Sequence, residues 1–471
     1  MQAPDDSRRR TPLFSARKRL FMASLLFAFL FPYVTWNQAA GCALLFLLFN
    51  TLILPWLDID VSKRPGVAQG IGAAATAAHT YPAPTVNTRT GTALYPALVL
   101  VLIAIYRNYL YVAAAAWAIM ALGDGMATVV GEALRSPALP WNRQKTWPGF
   151  ISFAVAGTVG ADILTRWIAP EIPPDKTFTV CAAAALLGAV VESLPIALDD
   201  NITVPLIVGA FMFCAFLVER SALDSNLPYL GRRIFLAIAV NLAFALLACA
   251  LKAASRSGAF CGFLLGTAIY LGYGYKSFLL LFAFVLLGSV ATRLGFAKKA
   301  ARGVAERRGG ARSWREALAN LLAAALFALL VITTHHEAAF LIALVAALAE
   351  AAGDTVSSEI GQWTSDRAYL ITTFKLVPAG EDGGISLAGT AAGFATSAII
   401  MGLGLGLGLC GPYRFAGPAI ALGAALAGNL FDSFLGATIQ RRGLVTNGMV
   451  NFASTSVAGA LALGLALRLG L

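Results

Sequence analysis

Residues 338–362 read AAFLIALVAALAEAAGDTVSSEIGQ. From 338 to 352 the side chains are apolar except Glu350, and two more acids, Asp354 and Glu359, follow directly. An α-helix rises about 1.5 Å per residue and the hydrocarbon of a bilayer is about 30 Å thick, so this stretch reads as a membrane span with carboxylates at one end. An acid near a span costs about 2.5 kcal/mol or more to insert, so it normally lines a cavity, pairs or binds an ion.

Comparable apolar runs lie at 20–36, 38–54, 93–121, 150–168, 178–198, 203–218, 233–252, 276–294, 317–333, 385–409, 416–436 and 450–470. The 471-residue chain is 58% hydrophobic and 13% charged, with a mean hydropathy of +0.74. That balance excludes an ordinary soluble domain and predicts an all-α, polytopic transmembrane protein of about 12–16 spans. The first run follows Arg8, Arg9, Arg10, Arg17, Lys18 and Arg19 and is expected to be retained. Ala39-Ala40-Gly41-Cys42 faintly resembles a lipoprotein-processing site, but a further apolar run follows where a polar tether belongs.

The net charge is +11, densest in Lys298, Lys299, Arg302, Arg307, Arg308, Arg312 and Arg315. The positive-inside rule puts this loop and the N-terminus in the cytosol, as for a protein of the cell inner membrane, and anionic lipid head groups are its expected contacts. No soluble recognition motif accompanies these charges, so a nucleic-acid partner is not expected. The six cysteines stand singly in apolar stretches and read as packing residues.

The polar stretch 219–233, with Pro228 and Gly231 as helix breakers, is the candidate boundary between two membrane units. Motifs recur across it in one order. GDGMATVVGE from Gly123 matches GDTVSSEIGQ from Gly353, KTWPGFISFAVAGT from Lys145 matches EDGGISLAGT from Glu381, and ESLPIA from Glu192 matches DSFLGA from Asp432. Diverged tandem repeats are therefore expected.

Asp124, Glu132, Glu192, Glu350, Asp354, Glu359 and Asp432 lie inside or beside spans. Carboxylates from two spans make an oxygen site suited to Mg²⁺, which keeps waters and shares substrate phosphates. Asp124 with Glu192, and Asp354 with Asp432, are the natural metal pairs. Glu359 falls about 140° round the helix from Asp354 and needs a separate role or a helix break. Asn142, Lys145 and Thr146 sit in a basic loop ending in a helix start at Pro148, where a lysine and fresh helix amides can bind polyphosphate. Lys375 with Gly380, Gly383 and Gly384 is the corresponding loop of the second half. Asp199, Asp200 and Asn201, and in the other half Gln440, Asn447 and Asn451, add polar groups where each site would close. The GLGLGLG run at 402–408 reads as close helix packing, and His335 and His336 as a solvated turn.

GDGMATVVGE, WNRQKTWPG and ESLPIALDDNITVP together resemble the membrane phytol and dolichol kinases, related in pattern to the CDP-diacylglycerol synthases. The resemblance covers about 90–220, although the preceding HTYPAPTVNTRTG lacks the RKxxH-type motif of some polyprenol kinases. GSVATRLG, EAAGDTVSSEIGQ, ITTFKLVPAGEDGGISLAGT, GNLFDSFLGATIQ and TNGMVNF, over about 235–471, resemble the phytyl-phosphate kinase family, formerly domain of unknown function 92. The resemblances imply anchor helices in 1–90, a phytol kinase-like domain in 91–230 and a phytyl-phosphate kinase-like domain in 231–471. They imply phosphorylation of an isoprenoid alcohol, then of its monophosphate, from CTP or another nucleoside triphosphate with Mg²⁺. Asp124, Lys145, Glu192 and Asp200 would be catalytic in the first site, and Asp354, Glu359, Lys375, Asp382 and Asp432 in the second. Asn142, Thr146, Asn201, Gly383, Gly384, Gln440, Asn447 and Asn451 would hold nucleotide. A cytidylyltransferase making a CMP-bearing lipid and a secondary transporter are the alternatives.

Overall fold

A computed structural model describes residues 22–53, 88–134, 136–411 and 415–471. The basic N-terminal positions 8–19 and residues 79–87 of the HTYPAPTVNTRTG stretch lie outside the described residues. The chain forms two compact units, Met1–Phe216 and Leu217–Leu471. Among the described residues, 11 helices are long and apolar enough to cross a membrane, and Met22–Tyr33 and Leu94–Ile105 are shorter apolar helices.

In the first unit, α1 (Trp36–Leu48) and α2 (Thr88–Ile105) precede α3 (Leu110–Ala133). A short hairpin of β1 (Ala138–Leu139) and β2 (Asn142–Thr146) leads into α4 (Trp147–Ile168), α5 (Pro174–Ser193) and α6 (Asp200–Leu217). The expected run 93–121 is thus divided: one helix stops at Ile105 and α3 carries Asp124 inside its own span.

The second unit opens with α7 (Arg220–Ala250), α8 (Arg256–Tyr273), α9 (Tyr275–Arg293), the short α10 (Phe296–Ala301) and α11 (Trp314–Thr333). Then α12 (Glu337–Thr364) runs through the middle of the unit, buried nearly throughout, which its Ala-, Leu- and Val-rich surface permits on every side. The three strands β3 (Arg367–Leu370), β4 (Leu376–Pro378) and β5 (Gly384–Ile385) form a small antiparallel sheet with β3 in the centre. They are followed by α13 (Leu387–Gly406), α14 (Ala416–Leu435) and α15 (Asn447–Arg468).

Without a hydrophobic drive between helices in lipid, small residues are what let them approach closely. The same close approach is built twice. Thr146 caps α4 by accepting from the Gly149 amide at 3.3 Å, and Ser386 caps α13 by accepting from the Gly389 amide at 3.1 Å. A methyl added at Gly131 would lie 3.0 Å from Thr146 Oγ1, and one added at Gly361 would lie 2.9 Å from Ser386 Oγ. Gly149 and Gly389 likewise leave no space for a side chain against the carbonyls of Ala127 and Ser357, at 3.1 and 2.6 Å.

Several local expectations give way. Pro228 and Gly231 do not break a helix but lie inside α7. Proline removes one backbone donor, and the residue whose carbonyl it leaves free, Asp224, is exposed, so the helix continues. Hydropathy missed α8 because glycines and hydroxyl residues dilute its apolar side chains. Among the basic residues of 298–315, Lys299 is fully buried and Arg302 pairs with Asp366, so neither is free for lipid head groups. In the glycine run, Gly404 packs against Val345, whereas Gly402 and Gly406 have open space beside them. The six cysteines are all unpaired.

Candidate functional site

Each unit gathers carboxylates at the end of its helices. In the first, β2 carries Lys145 to an ion pair with Glu192 in the last turn of α5 and to 3.5 Å from Asp200 at the start of α6. Asp124 lies close enough for its charge to act on both Lys145 and Asp200. Glu192 is buried, whereas Lys145 and Asp200 remain 31% and 39% exposed. Burial works to lower the Lys145 pKa, but Glu192, Asp200 and Asp124 outweigh it and hold the ammonium above its ordinary range. Asn142 fastens the hairpin to α5 by donating to the Ser193 carbonyl at 3.1 Å, beside a Trp141 to Ser193 Oγ bond of the same length. The remaining two expected nucleotide contacts are locally engaged: Thr146 caps α4, and the Asn201 amide donates to Asp199 at 2.7 Å.

In the second unit, Glu350 and Asp354 share a face of α12 at i, i+4, and Asp432 on α14 interacts electrostatically with both. Gly428, one turn before Asp432, makes this possible: a methyl there would stand 2.7 Å from Glu350 Cγ. Among the described residues neither buried Glu350 carboxylate oxygen makes a hydrogen bond of ordinary length and angle; the Ser454 hydroxyl that acts on it donates to Asp432 at 3.0 Å. The nearby positive charge acting on Asp354 is Arg312. Asp382 adds its charge to that at Asp432 and accepts from Gln440 Nε2 at 2.8 Å, with Asn447 Oδ1 3.5 Å from the same nitrogen. Burial and then Glu381 raise the Asp382 pKa, with Arg441 opposing. Asn451 donates to Asn320 at 3.3 Å. Gly383, at φ 74°, lets its loop pack on the turn at Gly436, and Gly384 starts β5.

Two expected members stand apart. Glu359 pairs with Lys299 in the interior, where that lysine also donates to the carbonyls of Ala291 and Thr292 at 3.2 and 2.9 Å, and α12 has no break. Lys375 is exposed in the turn between β3 and β4. Glu132 is exposed, two turns past Asp124 near the end of α3.

Among the described residues no three His, Cys, Asp or Glu side chains form a closed metal cage. Mg²⁺ does not require one, since it binds through one or two carboxylates with water and phosphate. The buried oxygens of Glu350 beside Asp354 and Asp432 fit such a cation. In the first unit Lys145 already neutralises part of the cluster through Glu192 and Asp200.

Residues 239–459 match the family described as Integral membrane protein DUF92. The chain is also 34% identical over 230 residues to an uncharacterised membrane protein of Methanocaldococcus jannaschii, an alignment spanning 48% of this chain and 92% of the relative. The chain belongs to the DUF92 integral membrane family. This DUF92 protein is 36% identical over 216 residues to Protein VTE6, chloroplastic, of Arabidopsis thaliana, covering 44% of the chain and 64% of that relative. Over 103 residues it is 35% identical to Phytol kinase 1, chloroplastic, of the same plant, covering 20% and 34%. No solved structure matches.

Arg312, Ser454 and Asn320 join the DUF92 site without having been singled out from sequence. Arg312 was one charge in a basic block, and Ser454 and Asn320 are single polar residues in apolar helices, a signal that a lone span gives only weakly.

Proposed function

We propose that the protein phosphorylates an isoprenoid alcohol in its first unit and the resulting monophosphate in its second, with CTP or another nucleoside triphosphate as donor and Mg²⁺ as the metal. The observation that carries this reading is the repeated geometry. In both units carboxylates from two helices converge beside a strand and a hydroxyl-capped helix, joined by the same glycine contact. We read this as a diverged tandem repeat. The phytol kinase names of its relatives supply the substrate class.

Fresh helix amides and a carboxylate-bound cation are the two features that hold a polyphosphate in a membrane enzyme. Asp124 and Glu192 in the first unit, and Asp354 and Asp432 with Glu350 in the second, would hold Mg²⁺. When bound, the ion supplies charge neutralisation for the transferring phosphoryl group. Lys145 orients and screens the phosphates of the first site. Asp200, more exposed than Glu192 and 3.5 Å from that lysine, receives the alcohol proton. The second acceptor is already an anion, so a base matters less there and the Arg312 charge matters more. Asn142, Gln440, Asn447 and Asn451 position nucleotide at the rims. Keeping both steps in one chain raises the effective concentration of a poorly soluble intermediate. The positive-inside rule applied to the basic loop 298–315 supports a cytosolic nucleotide supply in a cell inner membrane on this reading.

Purified protein with Mg²⁺ and γ-labelled CTP or ATP should transfer label to a prenol and to a prenyl monophosphate. Release of pyrophosphate with CMP appearing on a lipid would instead identify a cytidylyltransferase. Ion-coupled uptake without nucleotide turnover would identify a transporter.

A further inference from the structure

We infer that the outward face of the three-stranded sheet in the second unit is a membrane-docking surface, resting on the anionic head groups and upper acyl chains of the bilayer that the protein itself spans. The inference needs the transmembrane fold and not the kinase activity.

The strand register defines the face. Tyr369 in β3 pairs with Leu376 in β4 and with Ile385 in β5, so these three side chains stand on one side of the sheet, together with Arg367 and its partner Pro378. The other side, with Ala368 and Leu370, is buried against the protein. A half-buried antiparallel sheet normally turns polar residues outward. Here the outward side is mostly apolar, with Tyr369 and Leu376 both exposed. The turn joining β3 to β4 has the same character. It is closed by the Leu370 amide donating to the Lys375 carbonyl at 2.9 Å and the Phe374 amide donating to the Leu370 carbonyl at 2.8 Å. Phe374 sits at φ 53°, in the left-handed region that favours glycine, and is 72% exposed. The chain thus holds an aromatic ring outward where a smaller residue would fit the backbone better.

Position and charge assign the bilayer as the occupant. The 20 residues of α13 make a helix about 30 Å long, which matches the hydrocarbon and places Leu387 at its edge. Leu387 is 90% exposed, and Phe394 and Ile399 continue the exposed apolar surface along the helix. Ile385 precedes Leu387 by two residues, so the sheet begins at most about 7 Å from the hydrocarbon edge, within the head-group layer. The apolar sheet face therefore continues the surface of a span. Arg367 and Lys375 flank it, and no acid occurs from 367 to 380. The acids on either side are engaged elsewhere, Asp366 with Arg302 and Glu381 with Arg441. Aromatic side chains settle at membrane interfaces, and a lysine there lays its stem on apolar surface while its ammonium reaches the phosphates. Because β5 directly follows Asp382 and Gly383, docking would also hold that loop at the level of the head groups.

The test places the photoreactive residue p-benzoylphenylalanine in the full chain at Phe374 or at Tyr369, with Phe394 of α13 as the reference within the bilayer. The protein is irradiated in nanodiscs of phosphatidylcholine with or without phosphatidylglycerol, and lipid adducts are measured by mass spectrometry. With phosphatidylglycerol present, adduct yields at Phe374 and Tyr369 are expected within about threefold of that at Phe394. Lys375→Gln should lower the Phe374 yield about fivefold in those discs, the effect of one cationic side chain beside an anionic surface, and leave it unchanged in phosphatidylcholine alone. Lipid adducts at Phe394 with none at either sheet position would overturn the docking surface, as would adducts to added nucleotide or to a second copy of the chain. A Phe374 yield that Lys375→Gln leaves unchanged in both kinds of disc would overturn the contact with anionic head groups.

Discussion

In the first unit a lysine carried by the hairpin stands between Glu192 and Asp200, whereas in the second unit the acids Glu350, Asp354 and Asp432 face no lysine among the described residues and have Arg312 as a cationic neighbour. The helix caps set the register between the two. Thr146 and Ser386 play the same part, so the residue in the place of Lys145 is Ile385, and Lys375 lies in a different, exposed turn. The lysine that the second unit does bury, Lys299, is committed to Glu359. The two units therefore differ in their cationic partners, and on the two-kinase proposal the lysine-paired cluster would serve a neutral alcohol and the lysine-free one a cation shared with a more anionic pair of substrates.

The largest effect separating the two belongs to Asp432. Asp432→Asn should reduce transfer to a prenyl monophosphate by about 10³-fold or more and leave transfer to the alcohol within about twofold, read by product chromatography with each acceptor. A parallel loss of both products would mean that the clusters do not act separately. Next is the contrast between the two ion pairs. Lys299→Met leaves Glu359 as a lone buried charge and should cost about 3–5 kcal/mol, with much of it recovered by adding Glu359→Gln, measured by thermal unfolding in detergent. Lys145→Met, at a more exposed pair, should cost only about 1–2 kcal/mol while lowering the first transfer about 10²-fold. Equal destabilisation by the two would erase the distinction between a structural and a functional lysine. Lys375→Ala should change either transfer by less than about threefold, since an exposed turn lysine has no fixed partner; a loss matching that of Lys145→Met would restore the equivalence of the two lysines.

The smallest effect is one of pH. Because the folded Lys145 is held above its ordinary value of 10.5, its stabilising contribution is complete below that value and is lost as pH rises through the folded pKa. The alkaline limb of the melting profile should therefore flatten in Lys145→Met, and an unaltered limb would show that the ion pair does not persist.

Much of this was legible before the fold was known. The cost of acids in hydrocarbon picked out Asp124, Glu192, Asp354 and Asp432, and their ordered motifs marked two halves. Composition alone identified α12. Other features were hidden for physical reasons. The Lys299–Glu359 pair joins positions far apart in the chain, and a lysine in a basic loop reads as solvated until its cavity is seen. Glu350 was visible as an intramembrane acid, but its place beside Asp432 depends on Gly428 admitting a second helix. The Lys145 and Lys375 loops look alike because both combine glycine, proline and lysine, and only the caps at Thr146 and Ser386 fix their register. Pro228 was misleading because an exposed helix tolerates one missing hydrogen bond.

The most direct measurement is the product profile of wild-type, Asp124→Asn and Asp432→Asn proteins supplied with Mg²⁺, γ-labelled nucleotide and a prenol, with prenyl monophosphate in a second set. Two separate kinase sites require that Asp124→Asn makes no monophosphate yet converts added monophosphate to diphosphate, and that Asp432→Asn accumulates monophosphate. Either variant losing both reactions, or the wild type transferring label to neither acceptor, would contradict a division of labour between the two units.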